Sequence, residues 1–171
     1  MKKLFIFIFA VMCSFAAANA QQKGSMAVGI NLGMGLGYDE ITYDGGSFNN
    51  YAIGAKFQYS LTDKIRLEPA LNYYLEKDNV SMWDAMVNAH YLFPMLESKV
   101  NVYPLAGVGM YGVKVDLGAY GSSSDSELAI NVGGGAEYKL TDKISVGAEV
   151  KYVIVSDFGH IGINLGATYA F

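Results

Sequence analysis

Cysteine is almost absent from this chain. Of 171 residues only Cys13 is one. It sits in an apolar run, Leu4 to Ala17 broken only by Ser14, behind the basic head Met1-Lys2-Lys3 and ahead of the small-x-small triplet Ala18-Asn19-Ala20. Head, core and triplet predict a secretory signal peptide over residues 1–20, with a core too short to be a membrane span. A lipid-modified cysteine would need a small residue just before it, and Met12 stands there. Cleavage after Ala20 leaves residues 21–171 as one domain with no thiol. No disulfide, thiolate metal site or cysteine nucleophile is then expected.

Other shortages narrow the field further. No segment beyond residue 20 approaches the ~18 apolar residues of a transmembrane helix, and helical periodicity is nearly absent there. Positive charge is scarce: 12 Lys and Arg against 16 Asp and Glu give a net −4, and losing Lys2 and Lys3 takes it to −6. A mildly acidic exported chain is a poor match for nucleic acid, and no nucleic-acid partner is expected.

What is abundant is alternation. In the last twelve residues, HIGINLGATYAF, one parity reads Ile161, Ile163, Leu165, Ala167, Tyr169, Phe171, and the other reads His160, Gly162, Asn164, Gly166, Thr168, Ala170. A period of two makes a strand with one apolar face and one small or polar face. The pattern recurs from Val28 to Tyr38, Tyr51 to Leu61, Ile65 to Tyr73, Ala85 to Phe93, Leu128 to Leu140 and Ile144 to Tyr152. Only Val100–Val115 mixes glycine and apolar residues on both parities, and a bulge near Pro104 is expected there. The count is about eight strands, most near the ~9–11 residues a tilted strand needs to cross a bilayer.

The second parity decides which face is inside. It carries seven charged candidates for the lumen, Lys56, Arg66, Glu68, Glu137, Lys139, Glu149 and Lys151, and also Glu76, Asp84 and His90, among Gly, Asn, Ser and Thr. A soluble sandwich or lipocalin-type barrel would turn its apolar face inward and show a more charged, less glycine-rich exterior. A narrow lumen suits this mixture, because acids pair with bases and glycines let backbones approach. A lipid exterior suits the apolar parity, and lipid-exposed backbone requires an edgeless, closed sheet. The expected fold is all-β: an eight-stranded antiparallel up-and-down transmembrane barrel. The seven charged residues would form a polar network that fills its lumen. Eight strands leave room for side chains but not for a general diffusion channel.

Connection lengths set the orientation. The pentapeptide LTDKI occurs at Leu61–Ile65 and Leu140–Ile144, framed by Tyr59 and Tyr73 and by Tyr138 and Tyr152 at matching distances. Each copy reads as a tight turn between lipid-facing Leu and Ile, with the tyrosines in aromatic belts at the two interfaces. Pro94–Lys99 is a slightly longer turn, while Asp39–Phe48 and Asp116–Ser126 are long and polar. Short periplasmic turns alternating with long extracellular loops imply an even strand number and periplasmic termini.

Together these residues resemble the small outer-membrane-protein beta-barrel domain family of OmpA/OmpX type, porin-like barrels of Gram-negative bacteria. The carriers are Ile161, Ile163, Leu165 and the terminal Tyr169-Ala170-Phe171, the YxLTDKI hairpins, and YPLAGVGMYG at Tyr103–Gly112. The resemblance covers the whole mature chain. It implies location in the cell outer membrane, contact with its lipid and lipopolysaccharide, and a C-terminal assembly signal (Ile161, Ile163, Leu165, Tyr169, Phe171) read by the barrel-assembly machinery.

No catalytic, cofactor or metal site is expected. Gly107-Val-Gly109-Met-Tyr-Gly112 matches GxGxxG formally, but that motif works at a helix N-terminus and here a strand follows. The two histidines, His90 and His160, fall on different strands; His90 is expected in the polar lumen. A lipid-modifying Ser–His–acid enzyme would need Ser156 and Asp157 to converge on His160 at the outer rim. The expected role is non-enzymatic: envelope structure, or surface interaction through the long loops with an unidentified partner. The alternatives are that enzyme, or an accessory subunit of a larger outer-membrane complex.

Overall fold

The computed structural model describes residues 23–37, 50–77, 79–96, 99–116, 121–156 and 159–171. The expected leader, residues 1–20, and the first long loop, Asp39–Phe48, lie outside the described residues. Nine strand segments follow in chain order: β1 Met26–Leu36, β2 Asn50–Ser60, β3 Ile65–Lys77, β4 Val80–Tyr91, β5 Phe93–Met95, β6 Val100–Asp116, β7 Ser122–Lys139, β8 Ile144–Val155 and β9 Gly159–Ala170. Every pairing is antiparallel. Both β4 and its short continuation β5 pair with β6, so they act as one strand and the ring closes with eight.

The seam is complete. β1 and β9 pair from Ala27 opposite Ala170 to Leu36 opposite Ile161, and the Phe171 N–H donates to the Met26 carbonyl at 3.1 Å. Closure matters because each unpaired N–H or C=O in hydrocarbon costs several kcal/mol. The barrel is inside-out by the standards of a water-soluble fold. Outward Ile30, Leu32 and Leu165 are 70%, 67% and 61% exposed, while inward Arg66, Glu68 and Asn88 are 3%, 1% and 0% exposed.

β6 has an unbroken register against β4 and β5 on one side and β7 on the other, so the bulge expected near Pro104 is absent. Proline acts differently here: it removes a ladder donor without displacing the strand. The β4–β5 interruption at Leu92 falls opposite Tyr103-Pro104, and the β2–β3 ladder has its gap at Phe57-Gln58 opposite Glu68-Pro69. The irregular step lies elsewhere, in β3 between Tyr74 and Lys77, and it leaves Glu76 exposed.

The LTDKI turns share one construction. The Thr62 hydroxyl accepts the Lys64 and Ile65 N–H groups at 3.2 and 2.9 Å, and Thr141 accepts those of Lys143 and Ile144 at 3.2 and 3.0 Å. Threonine therefore satisfies two donors that a reversal of three or four residues cannot pair through its backbone.

The other end differs from the expected loop pattern. Asp116–Ser126 is not a long loop: β6 and β7 stay paired up to Asp116 opposite Ser122. Hydrophobic alternation stops at Leu128, so nothing in the periodicity marks residues 122–127 as strand, although their backbone continues the ladder. β8 ends at Val155, opposite Ala129, so, among the described residues, 122–128 of β7 pair with β6 alone.

Candidate functional site: a lumen filled in three layers

Inward-facing side chains fill the barrel in layers, ordered from the LTDKI turns toward the opposite end. The turn-end layer is ionic. Arg66 Nη1 donates to both carboxylate oxygens of Glu137, at 2.9 and 2.8 Å, and Asn101 Nδ2 adds a third bond to Glu137 Oε1 at 2.9 Å. Lys56 Nζ stands 3.2 Å from both Glu68 and Glu149. Gln58 Nε2 donates to Glu68 at 2.8 Å, and the Tyr103 hydroxyl donates to Glu149 at 2.9 Å.

His90 and Tyr103 join the two ion-pair groups. Arg66 Nε lies 3.3 Å from His90 Nδ1 and donates to it; the His90 ring stacks on Tyr103 at 4.6 Å with 10° between planes. The Arg66 guanidinium carbon is 5.1 Å from the Tyr103 ring centroid. Buried charges are tolerated when each is paired and hydrogen-bonded, which is the condition met here. Leu92, Tyr103 and Leu105 form a small apolar cluster at this same end.

Amides make the middle layer. Asn31 Nδ2 donates to Asn72 Oδ1 at 2.6 Å, Asn72 Nδ2 to Asp84 at 2.7 Å, and Asn131 Nδ2 to Asn88 Oδ1 at 3.0 Å. Gly107 explains the first glycine of the GxGxxG string. A Cβ there would collide with Asn88 Oδ1 and lie 2.9 Å from Asn131 Oδ1, so the glycine makes room for the amide pair.

Apolar and aromatic side chains close the loop end. Tyr74, Met82, Met86, Tyr111, Val153 and Val155 are buried in one cluster. The Tyr111 hydroxyl contacts Met82 Sδ at 3.3 Å, Tyr74 donates to Asp84 at 2.9 Å, and the His160 ring lies 5.4 Å from Tyr111 and 6.2 Å from Tyr74.

Of the seven charged residues singled out by parity, the structure joins five: Lys56, Arg66, Glu68, Glu137 and Glu149. Lys151 is buried apart from them, beside Asp84 and His160. Lys139 faces inward at the turn end and makes no ion pair among the described residues. Gln58, Asn101 and Tyr103 were not singled out by the sequence. Tyr103 was hidden because both parities of its strand look alike, and the pairing of Val100 with Tyr138 fixes its face. Ile161, Leu165 and Tyr169 lie exposed on the outer face, Ile163 half-buried beside them, and Phe171 follows the last strand residue at the seam.

Two chemistries can be judged from this geometry. Glu68, His90 and Glu149 bring their ligand atoms within 4.8 Å of one another. The cation between the two carboxylates is the Lys56 ammonium. His90 Nε2 faces Glu68 at 3.9 Å, but Arg66 donates to Nδ1, which places the neutral ring's proton on Nε2, so a metal ion would have to displace both that proton and Lys56. A hydrolytic triad has no more support. His160 is buried against two tyrosines while Ser156 is exposed, and Asp157 lies outside the described residues.

A closed eight-strand barrel with an apolar exterior and a packed polar lumen fits a transmembrane barrel, and residues 5–171 match the outer membrane protein beta-barrel domain. The chain belongs to that family. No curated protein sequence matches it. Among solved structures, Neisserial surface protein A is similar at a TM-score of 0.72 and 17% identity, over 87% of this chain and 100% of that one. Ail, the attachment invasion locus protein of Yersinia pestis, is similar at 0.64 and 19%, over 88% and 100%. The N-terminal barrel of Pseudomonas aeruginosa OprF is similar at 0.60 and 19%, over 87% and 100%. At these identities the likeness speaks for the fold. As an outer-membrane barrel of this family, the chain is an integral protein of the outer membrane.

Proposed function

We infer that this protein is a non-enzymatic outer-membrane barrel with a closed lumen, and that its loop-end rim is a surface-interaction element. The observation that carries this reading is the rim of β7: residues 122–128 rise past the end of β8 and, among the described residues, pair only with β6. An unpaired strand edge is a template for an added strand, and its polar side chains, with the Ser126 N–H capped by Asp125 Oδ1 at 2.8 Å, keep it soluble. The orientation proposed with it places the LTDKI turns and both termini in the periplasm and the β6–β7 rim outside the cell. Ail is described in complex with the heparin analogue sucrose octasulfate. Here Asp116, Asp125 and Glu127 stand against Lys77 and Lys114 on the described rim, which favours a neutral or cationic partner over a polyanion.

The test uses a photo-crosslinking residue at Ser124, with one at lipid-facing Leu165 as the control, in intact cells. A discrete adduct at position 124 and none at position 165 supports the reading; no adduct at either position leaves a purely structural role. An impermeant thiol reagent should label Ser124→Cys and not Lys64→Cys in intact cells, and the reverse pattern overturns the orientation. The assembly signal is proposed on the seam: deleting Phe171 removes the bond to Met26 and should lower folded barrel in the membrane, read by heat-modifiable mobility on gels. Thr168→Ser keeps an inward hydroxyl and should assemble normally. Equal assembly of both variants counts against Phe171 as a signal.

A further inference from the structure

The outward face is not uniformly convex. Two grooves run side by side along it. The larger, 860 Å³, has small residues on its floor (Ala55, Pro69, Ala85, Ala167) and Phe57 and Tyr169 among its walls. The smaller, 510 Å³, runs between Val146, Ala148, Leu165 and Leu32. They share Ile30 and Ala167, so one ridge separates them. Both approach the pair formed by Ile144 on β8 and Tyr169 on β9, which lies at the turn end. There Lys143, from the second LTDKI turn, holds its ammonium 5.7 Å from the Tyr169 ring centroid.

We propose that this face is a binding site for one anionic diacyl phospholipid, with an acyl chain in each groove and the phosphate at Lys143. Parallel grooves divided by a single ridge match two chains leaving one headgroup. An aromatic ring with a cation over its face at the end of an apolar surface is the arrangement that anchors at headgroup depth. The site rests on the membrane placement of the barrel and not on which end faces the cell exterior, so the labelling experiment above and the one below fail independently.

The repeated turn supplies an internal control. Lys64 occupies the same position in the first LTDKI turn and is exposed; neither lysine lines a groove, but Lys143 adjoins the groove residue Ile144 and stands over Tyr169, whereas neither chain neighbour of Lys64 is a groove residue. Native mass spectrometry of the detergent-solubilised barrel, titrated with phosphatidylglycerol, reads the bound fraction directly, and heat-modifiable mobility checks that each variant is folded. Wild type should retain one lipid. Lys143→Glu should weaken that binding about fivefold or more, the worth of one cation near an anionic headgroup. Ala55→Leu and Ala167→Leu fill the grooves without touching the charge and should weaken it by at least as much, while Lys64→Glu leaves it unchanged. The proposal is overturned if wild type retains no lipid, if the leucine variants bind as wild type does, or if Lys64→Glu weakens binding as much as Lys143→Glu.

Discussion

The two ends of the lumen are closed by opposite means. At the turn end, two cations and three carboxylates are fixed by directed bonds of 2.8–3.2 Å, with His90 and Tyr103 between them. At the loop end, Tyr74, Tyr111, two methionines and two valines pack together, with Asp84, Lys151 and His160 buried beside them. The ionic layer depends on every partner being present, because a buried charge left alone costs far more than a pair contributes. The apolar layer degrades gradually, because neighbouring side chains, methionine above all, can partly fill a gap. The two ends are thus barriers of different tolerance to change, in series with the amide layer between them.

Removing one barrier should therefore not open a channel, and a channel requires the amide layer between the ends to be breached as well. Glu137→Ala combined with Asn88→Ala and Tyr111→Ala is expected to have the largest effect: steady conductance in planar bilayers where wild type and each single variant show none. A conducting single variant would mean that only one layer closes the lumen. Because Glu137 and Tyr111 lie in different layers, their stability costs should add in urea titrations of the folded barrel.

Glu137→Ala alone should rank next. It strips Arg66 of its carboxylate and should cost about 3–5 kcal/mol, the range for an orphaned buried charge. A cost below about 1 kcal/mol in the same titration would mean water reaches Arg66, and the ionic layer would not be a dry seal. Gly107→Ala probes the amide layer between the two ends. The added methyl collides with Asn88 and should cost about 1–3 kcal/mol through overpacking. Tyr111→Phe should do least. It removes one hydroxyl contact to Met82 Sδ and keeps the ring, so a loss within about 1 kcal/mol is expected. A larger loss would show that the loop-end layer also depends on directed bonds.

The alternation of residues by itself determined the strands, the inside-out distribution and the closed barrel, because a period of two is local and each face repeats at every second residue. It also marked Lys56, Arg66, Glu68, Glu137 and Glu149 as inward. It did not reveal that the loop end is apolar inside, although Tyr74, Val153 and Val155 stand on the inward parity of their strands and Tyr152–Val155 is apolar on both. Nor did it show that residues 122–127 are strand, since beyond the bilayer no lipid face imposes alternation.

Only the tertiary structure decided who pairs with whom. Arg66 meets Glu137 across 71 residues and Lys56 meets Glu149 across 93. Those distances are set by the stagger of strands around a closed sheet, a property of the ring as a whole. Each strand's own pattern fixes which side a charge faces, but not the height at which it meets a partner from the opposite wall.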